Sequence, residues 1–495
     1  MSAATPMSWA TRTTNPRDQV GRIRFRRAVT LMLMTLVIPG SAQLVAGRKE
    51  VGRIAMRIWM GLIVAGVLLL LLCLVSTGFA FWFATNTTLL GLIRWLLIGL
   101  ALGWAFLFVN AWTLGDPLSL QRQQRLAMVG INGLLCFAVA GALLFAANIV
   151  HTSRDFLLTT FAGDTVRAAN DGRYNILLLG GDSGVDRWGL RPDSINVVSI
   201  DAKTGRSVLF GLPRNMLNYP FAKGSTMAKQ FPKGYLCDSA CMGDGNQIGL
   251  HELNSLVTYA GSHKSLFKGV KEPGIEATKQ AVEGITGLKI NYYGMVNLAG
   301  FQKLVQAVGG VKLHVRQAIP IGGIGAPISG YIKPGYRKLN GFETLWFARS
   351  RVAADDYSRM ARQKCVMAAM LQQVSPQTVI KNFSSVAHAA EATFQTDLPE
   401  SEVDTFAQLA LKARSQPIHT VSFVPPQINT VHPDIAKIHK MVKSAISADE
   451  KSGQAGKGGK KKAATKHSQT AVGGSYGNMQ QGYSANDSDN LASAC

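Results

Sequence analysis

Hydrophobic positions follow two different patterns along this chain. Between residues 28 and 150 they form long uninterrupted runs, and between about 172 and 447 they form short runs with strand or helix period. Residues 58–93, 95–115 and 126–150 carry no charged side chain. Each run can supply the roughly 20 apolar residues that a membrane-crossing helix needs. The pattern therefore predicts spans at about 55–76, 92–114 and 127–150. A further apolar stretch, 28–47, is broken by Pro39-Gly40. Proline cannot continue a helix ladder and glycine favours a turn. Residues 28–47 are thus expected to form a re-entrant or interfacial hairpin, not a fourth span.

The second pattern alternates strands and helices. YNILLL (174–179), INVVSI (195–200), SVLFGL (207–212), INYYGMV (290–296) and VKLHV (311–315) read as strands. IGLHELNSLVTYA (248–260), GIEATKQAVEGIT (274–286) and FQKLVQAV (301–308) read as helices, and so do most of 356–374, 379–393, 400–414 and 433–447. Mixed strands and helices in one unit predict an α/β layered domain over 172–447, joined to the membrane region by a polar connector at 151–171. Beyond 448 the chain is rich in Gly, Ser, Lys, Asn and Gln, which cannot bury a core, so 448–495 reads as a disordered tail. Residues 1–27 read as a basic disordered segment.

Charge orients this arrangement. The net charge is +23, but it is unevenly placed. Residues 1–57 hold ten Arg and Lys against Asp18 and Glu50, and 451–466 add six lysines. The excess sits beside apolar runs and in a tail, which favours anionic lipid or wall polymer over nucleic acid as partner. Arg48, Lys49, Arg53 and Arg57 precede the first span, Arg122 and Arg125 lie between the second and third, and 76–90 carry no charge. The positive-inside rule puts the basic flanks in the cytoplasm and 76–90 outside. Everything after 150 is then expected outside the cytoplasmic membrane, on a multi-pass anchor. The first apolar stretch has no small-residue cleavage pattern of a signal peptide.

Six cysteines are present. Cys73 and Cys136 fall in predicted spans, and Cys365 reads as buried. Cys237 and Cys241 lie in a glycine-rich loop, CDSACMGDG. Outside the cell they are expected to pair as a disulfide, since no second Cys/His pair with zinc-ligand spacing accompanies them. Cys495 is left as the odd one.

Candidate chemistry clusters in the domain. Arg349, Arg351, Arg359, Arg362 and Gln363 fall within fifteen residues, with Asp355 and Asp356 among them. On a helix Arg359, Arg362 and Gln363 share one face. The guanidinium fork matches phosphate oxygens, so the cluster suits a polyanion. A solvated face with salt bridges is the alternative. NILLLGGDSG (175–184) runs a strand into a glycine-rich turn. Ser183 does not suit a nucleophile, because the chain upstream reads as membrane rather than as the β-barrel that carries a protease's His and Asp, and no late Asp-x-x-His follows. Asp182 and Asp193, with no histidine beside them, suit a hard cation, Mg²⁺ or Mn²⁺, or else cap turns. Arg191, before Asp193, and Arg214, in LPRN, add cations at the same sheet edge.

NILLLGGDSG, RPDSI, LPRN, GITGLKINYYGMVNLAGFQKLVQAVGGV, LNGFETLWFARSR and DDYSRMARQKCV occur in an order that resembles the LytR-CpsA-Psr family of bacterial cell-wall glycopolymer transferases. The resemblance covers about 172–375, extends loosely to 447, and looks like the actinobacterial branch. It implies a central mixed β-sheet flanked by helices. It also implies transfer of a glycan phosphate from a polyprenyl-pyrophosphate carrier to peptidoglycan, at the outer face of the membrane. Under it, Asp182 and Asp193 match metal-associated carboxylates. Arg191, Arg214, Arg349, Arg351, Arg359, Arg362 and Gln363 match the pyrophosphate-binding set, and Asp193, Arg214, Arg349 and Arg351 are the expected catalytic residues. Asp193 or Asp356 would serve as base. Asn215 departs from the family, which usually has Asp there. The apolar faces of 273–308 and 364–386 are expected to line a polyprenyl tunnel. A pyrophosphatase on the same lipid and a non-catalytic wall-polymer tether or regulator are the competing readings.

Overall fold

The computed structural model describes residues 16–161, 163–181, 191–323, 327–352, 355–373 and 394–455, with 385, 386, 389, 486, 490 and 491. The chain divides into two compact units, Met1–Asp155 and Phe156–Cys495.

The first unit is helical: α1 (Pro16–Val37), α2 (Ser41–Val45), α3 (Lys49–Val75), α4 (Thr77–Thr85), α5 (Thr87–Leu114) and α6 (Arg122–Thr160). Helices α3, α5 and α6 are long and apolar enough to cross a membrane. Two expected boundaries move. The segment 1–27 is not wholly irregular, because α1 starts at Pro16, where the missing N–H of proline has no helical partner to lose. The connector does not begin at 151, because α6 continues to Thr160. The break at Pro39-Gly40 is present. Gly40 has φ +91°, and a Cβ there would lie 2.5 Å from the Gly52 carbonyl oxygen. Beyond it, buried Gln43 donates through Nε2 to the Leu107 carbonyl at 3.0 Å, fixing α2 on α5. The uncharged 76–90 stretch is helical rather than looped. Ser76 Oγ accepts from Phe79 N and Asn86 Oδ1 from Leu89 N, which start α4 and α5 in turn.

The second unit is built on a six-stranded mixed sheet in the order β10-β3-β2-β1-β4-β9. Its strands are β1 (Arg173–Gly181), β2 (Pro192–Asp201), β3 (Ser207–Leu212), β4 (Tyr292–Asn297), β9 (Phe394–Thr396) and β10 (His419–Ser422). β1, β2 and β3 run antiparallel in sequence, while β4 joins β1 and β10 joins β3 in parallel. Every residue of β3 is buried, as expected for an apolar run covered on both faces. β5 (Val311–Val315) pairs with β8 (Gly335–Leu339), and β6 (Ile319–Ile321) with β7 (Gly330–Ile332), in two separate ribbons.

The helices of this unit are α7 (Thr226–Gln230), α8 (Ser239–Met242), α9 (Gly245–His251), α10 (Leu256–Ser262), α11 (Pro273–Thr286), α12 (Leu298–Ala307), α13 (Gly341–Arg349), α14 (Asp356–Gln373), α15 (Val403–Arg414) and α16 (Ile435–Ala455). The predicted helix over 248–260 is broken, because Glu252 takes an extended conformation between α9 and a short turn. α11 starts with Pro273 and ends on Gly287 at φ +71°, the sequence signals for both ends. Its Ile275, Val282 and Ile285 join Leu177, Val197 and Phe210 of the sheet in one core. A second core joins α13 and α14 to β5, with Phe347 and Cys365 fully buried. Most of the predicted helix at 379–393 lies outside the described residues.

The expected tail boundary at 448 is also corrected. α16 runs to Ala455, and fully buried Asp449 pairs with Arg173 and Arg206 at 3.2 Å each. Near the end of the chain, buried Asn486 donates through Nδ2 to the Tyr357 carbonyl at 2.7 Å. Leu491 N donates to the Ile418 carbonyl at 2.9 Å. Composition averaged over a lysine-rich stretch hides single residues that have partners in the core.

Candidate active site

The sheet topology brings three chain segments to one edge. Gly181, the last residue of β1, pairs with Pro192, so Asp193 sits where β2 begins. The neighbouring β3 ends at Leu212, two residues before Arg214. The turn from α13 into α14 carries Arg351 and then Asp355, whose Oδ1 accepts from Ser358 N at 2.7 Å and starts α14. The first turn of α14 then presents Asp356 and Arg359.

These residues interlock. Asp193 Oδ1 lies 2.9 Å from Arg214 Nη1, 2.9 Å from Arg351 Nη2 and 3.2 Å from Arg359 Nη1. Asp356 faces the same three arginines, with Oδ2 3.2 Å from Arg214 Nε, and Oδ1 3.4 Å from Arg359 Nη2 and 3.7 Å from Arg351 Nε. Arg191 approaches from another side. Its Nη2 donates to the Gly249 carbonyl at 2.7 Å and to Asn254 Oδ1 at 3.2 Å, and lies 4.0 Å from Glu252 Oε2. Leu253 N and Asn254 N donate to the carbonyls of Met216 and Arg214, which locks the Glu252 segment beside Arg214.

Burial would raise the Asp193 carboxyl, but Arg359, Arg351 and Arg214 outweigh it and hold the group below the usual carboxylate range. Glu252 moves the other way. Its burial raises the carboxyl, and Arg214 and Arg191 only partly oppose this. For Arg214, burial works against the charge, and the Asp356 and Asp193 carboxylates more than restore it. Arg359 is 1% exposed, and burial lowers its pKa despite both aspartates. Several donors are buried without an aligned acceptor: Arg191 Nε, Arg359 Nε and Arg359 Nη1. Arg359 Nη1 lies 3.2 Å from Asp193 Oδ1, close enough for an ion pair. Guanidinium groups gathered at one point with donors to spare form an environment built for an anion.

Not every arginine of the cluster reaches this point. Arg362 is fully buried and donates through Nη2 to the Ser350 carbonyl, joining α14 to the end of α13. Arg349 stacks over the Trp346 ring at 5.8 Å, and Gln363 Nε2 donates to the Ala348 carbonyl at 3.5 Å. Arg349 and Gln363 instead line, with Asp193 and Arg359, the polar end of a cavity of about 190 Å³. Its apolar wall includes Leu178, Phe301, Val366, Met367 and Met370. The expected apolar lining is therefore found at α12 and α14, whereas α11 packs into the sheet core on its own account.

Asp182 and Ser183 lie outside the described residues. The shortest contact from each of Arg214, Arg351 and Arg359 to Asp193 falls on Oδ1, so the three guanidinium groups share one carboxylate oxygen. A carboxylate among these cations has the chemistry that Mg²⁺ or Mn²⁺ takes, one or two carboxylates with phosphate oxygens and water completing the shell. Asn215 Oδ1, at the position where an Asp was expected, is buried without a hydrogen bond. The sequence reading missed Glu252 and Asn254. Their only signal was HELN, a carboxylate and an amide inside a segment read as continuous helix.

The structure joins Cys237 to Cys241 with Cα atoms 5.2 Å apart, and His251 Nδ1 lies 3.4 Å from Cys241 Sγ. These three side chains also form a group that could hold a metal ion. Alkylation mapped on the 237–241 peptide separates the two states. A disulfide keeps both sulfurs unmodified until reductant is added, whereas a zinc site releases them to a chelator alone.

The LytR_cpsA_psr family model matches residues 150–448 of this chain. Biofilm regulatory protein A of Streptococcus mutans is 23% identical over 282 residues, spanning 55% of this chain and 62% of the relative. Cell wall biosynthesis protein LcpA of Corynebacterium glutamicum is 26% identical over 289 residues, spanning 54% of this chain and 52% of the relative. The polyisoprenyl-teichoic acid–peptidoglycan teichoic acid transferase TagU of Enterococcus faecalis is 24% identical over 296 residues, spanning 59% and 79%. The chain thus covers less than two thirds of the length of the first two relatives.

Proposed function

We propose that this chain, which belongs to the LytR-CpsA-Psr family, is a membrane-anchored phosphotransferase that attaches a polyprenyl-pyrophosphate-linked glycopolymer to peptidoglycan. The observation that carries the reading is the convergence of Arg214, Arg351 and Arg359 on Asp193 and Asp356 at the polar end of an apolar cavity. An amphiphile with a pyrophosphate head and a hydrocarbon tail matches that layout. The names of the relatives from C. glutamicum and E. faecalis, a cell wall biosynthesis protein and a teichoic acid transferase, support it.

The chemistry follows from positioning and charge. Arg191, Arg214, Arg351 and Arg359 hold the pyrophosphate, with Arg349 and Gln363 at the cavity mouth. A peptidoglycan hydroxyl oxygen forms a bond to the glycan-side phosphorus. The bond from that phosphorus to the bridging oxygen breaks, and polyprenyl phosphate leaves. The hydroxyl proton passes to a carboxylate. Glu252 is better matched to take it than Asp193, because a carboxyl raised by burial is the stronger base and one held low by three arginines is the weaker. Asp193 then serves to fix the arginines, and it would be the carboxylate that holds Mg²⁺ or Mn²⁺. That ion, when bound, neutralises phosphate charge.

The reading places the domain outside the cytoplasmic membrane, on three spans oriented by their basic flanks. Lys268 is exposed on the domain, so a Lys268→Cys variant is expected to react with an impermeant maleimide in intact, wall-permeabilised cells. Labelling only after lysis overturns this topology. The activity is tested by incubating the chain with a radiolabelled lipid-pyrophosphate glycan and peptidoglycan, with and without Mg²⁺.

A further inference from the structure

A second cationic face lies on the β5–β8 ribbon. Between Glu283 and Glu343 the chain carries seven Lys and Arg and no acidic residue. The ribbon register sets Lys312 directly opposite Lys338 and His314 opposite Tyr336. The alternate positions Val311, Leu313, Val315 and Leu339 are buried, so the two lysines share the outward face with the ring pair. Like charges placed directly across a ladder repel. Among the described residues no carboxylate pairs with either lysine. The acid nearest in sequence, Glu343, is taken up by Asn340 in the cap of α13. The His314 and Tyr336 rings stack at 4.5 Å, and Tyr336 is 89% exposed. An exposed, supported aromatic face flanked by unbalanced lysines lines a cavity of about 510 Å³ that has no acidic lining residue. Gln373 holds the ribbon to α14 through the backbone of Lys312, so the platform is fixed to the helix that carries Arg359.

We propose that this face is a binding site for an anionic glycan, in which a sugar ring lies on Tyr336 and a phosphate or carboxylate of the same chain bridges Lys312 and Lys338. Charge alone would suit any polyanion; the ring platform selects one with sugar rings, because an apolar sugar face packs on an aromatic as a bare phosphate chain does not. A lipid surface is the less suitable occupant, since it calls for protruding aliphatic side chains that this face lacks. The site lies outside the arginine–aspartate cluster, and it rests on the proposed function only for the source of the glycan.

The test is binding of a phosphorylated dextran oligomer to the full chain in neutral detergent, beside unmodified dextran, inorganic polyphosphate and phosphatidylglycerol vesicles. Wild type is expected to bind phosphodextran more tightly than either dextran or polyphosphate. Lys312→Ala/Lys338→Ala is expected to weaken phosphodextran binding about 10-fold, in a salt-dependent way. Tyr336→Ala is expected to weaken it about 5-fold while leaving polyphosphate binding unchanged. Lys440→Ala/Lys443→Ala removes equal charge from exposed positions of α16 and serves as the control. Equal losses in the two lysine pairs, or no effect of Tyr336→Ala, overturn the proposal. So does a preference for vesicles that depends on Lys312 and Lys338. Lys312, Lys338 and Tyr336 lie outside the arginine–aspartate cluster, so their effect on phosphodextran binding and the effect of Arg351→Ala on transfer are separate readouts, and failure here and failure of the transferase reading are separable.

Discussion

Arg359→Ala is expected to reduce glycopolymer transfer by at least about 100-fold and to destabilise the domain by about 3–5 kcal/mol. Arg359 is 1% exposed and faces both Asp193 and Asp356. Its loss leaves two carboxylates in a poorly solvated place with one cation fewer, which is the expensive way to break a buried pair. Under the proposed function the same truncation also removes a guanidinium that holds the pyrophosphate. Arg359→Lys should not restore activity, because a point charge cannot reach both aspartates and a phosphate with a planar fork. Arg351 separates the two effects. It is 28% exposed, so Arg351→Ala is expected to lower transfer about 10- to 100-fold with the melting temperature nearly unchanged. If instead both variants transfer at the wild-type rate while folded, the arginines are a structural salt-bridge network and the substrate lies elsewhere.

The second large effect belongs to Asp193. Burial raises its carboxyl, Arg359, Arg351 and Arg214 together lower it by more, and the net direction is down. A carboxyl depressed in the folded state contributes stability that is present above its unfolded pKa of about 3.9 and is lost as pH falls through the folded value. Wild type should therefore lose stability on acidification below about pH 4, and Asp193→Asn should lack that component of the loss. At neutral pH Asp193→Asn is expected to be the less stable protein, because three arginines keep their charges and lose their shared anion. Its transfer activity should fall about 100-fold or more, since the fixed geometry of Arg214 and Arg351 depends on it. Denaturant unfolding of both proteins between pH 3 and 8 checks the sign. Parallel acid profiles for wild type and Asp193→Asn contradict the placement of Asp193 among the arginines.

The elements with strong periodicity were legible from the sequence, and the short ones were not. β1, β2 and β3 are apolar runs bounded by turn residues, and α11 announces both ends with Pro273 and Gly287. β6, β7 and β9 have three residues each, too few to display alternation, and two of them flank glycine-rich chain. β8, GYRKL, is strand only because it pairs with β5; three of its five residues are exposed. The arginines of the site were legible as a cluster, yet their separate duties were not. Spacing puts Arg359 and Arg362 on one face, and the structure turns the first to the aspartates and the second to the Ser350 carbonyl. Arg349 likewise stacks on Trp346 instead of joining Asp193. Glu252 escaped because a helix-like pattern ran through it, and only the fold shows the chain extended there, tied to the carbonyls of Arg214 and Met216.

The central claim is that the arginine–aspartate cluster holds a polyprenyl pyrophosphate while a peptidoglycan hydroxyl takes the glycan phosphate. The direct measurement follows both products of a radiolabelled lipid-pyrophosphate glycan in the presence of peptidoglycan and Mg²⁺, using the full chain. The expected result is label covalently joined to peptidoglycan with an equal release of polyprenyl phosphate, both lost in Arg351→Ala. Release of polyprenyl phosphate with the label left in solution would mean that water is the acceptor, and no turnover with the lipid still bound would mean a tether; either result contradicts transfer.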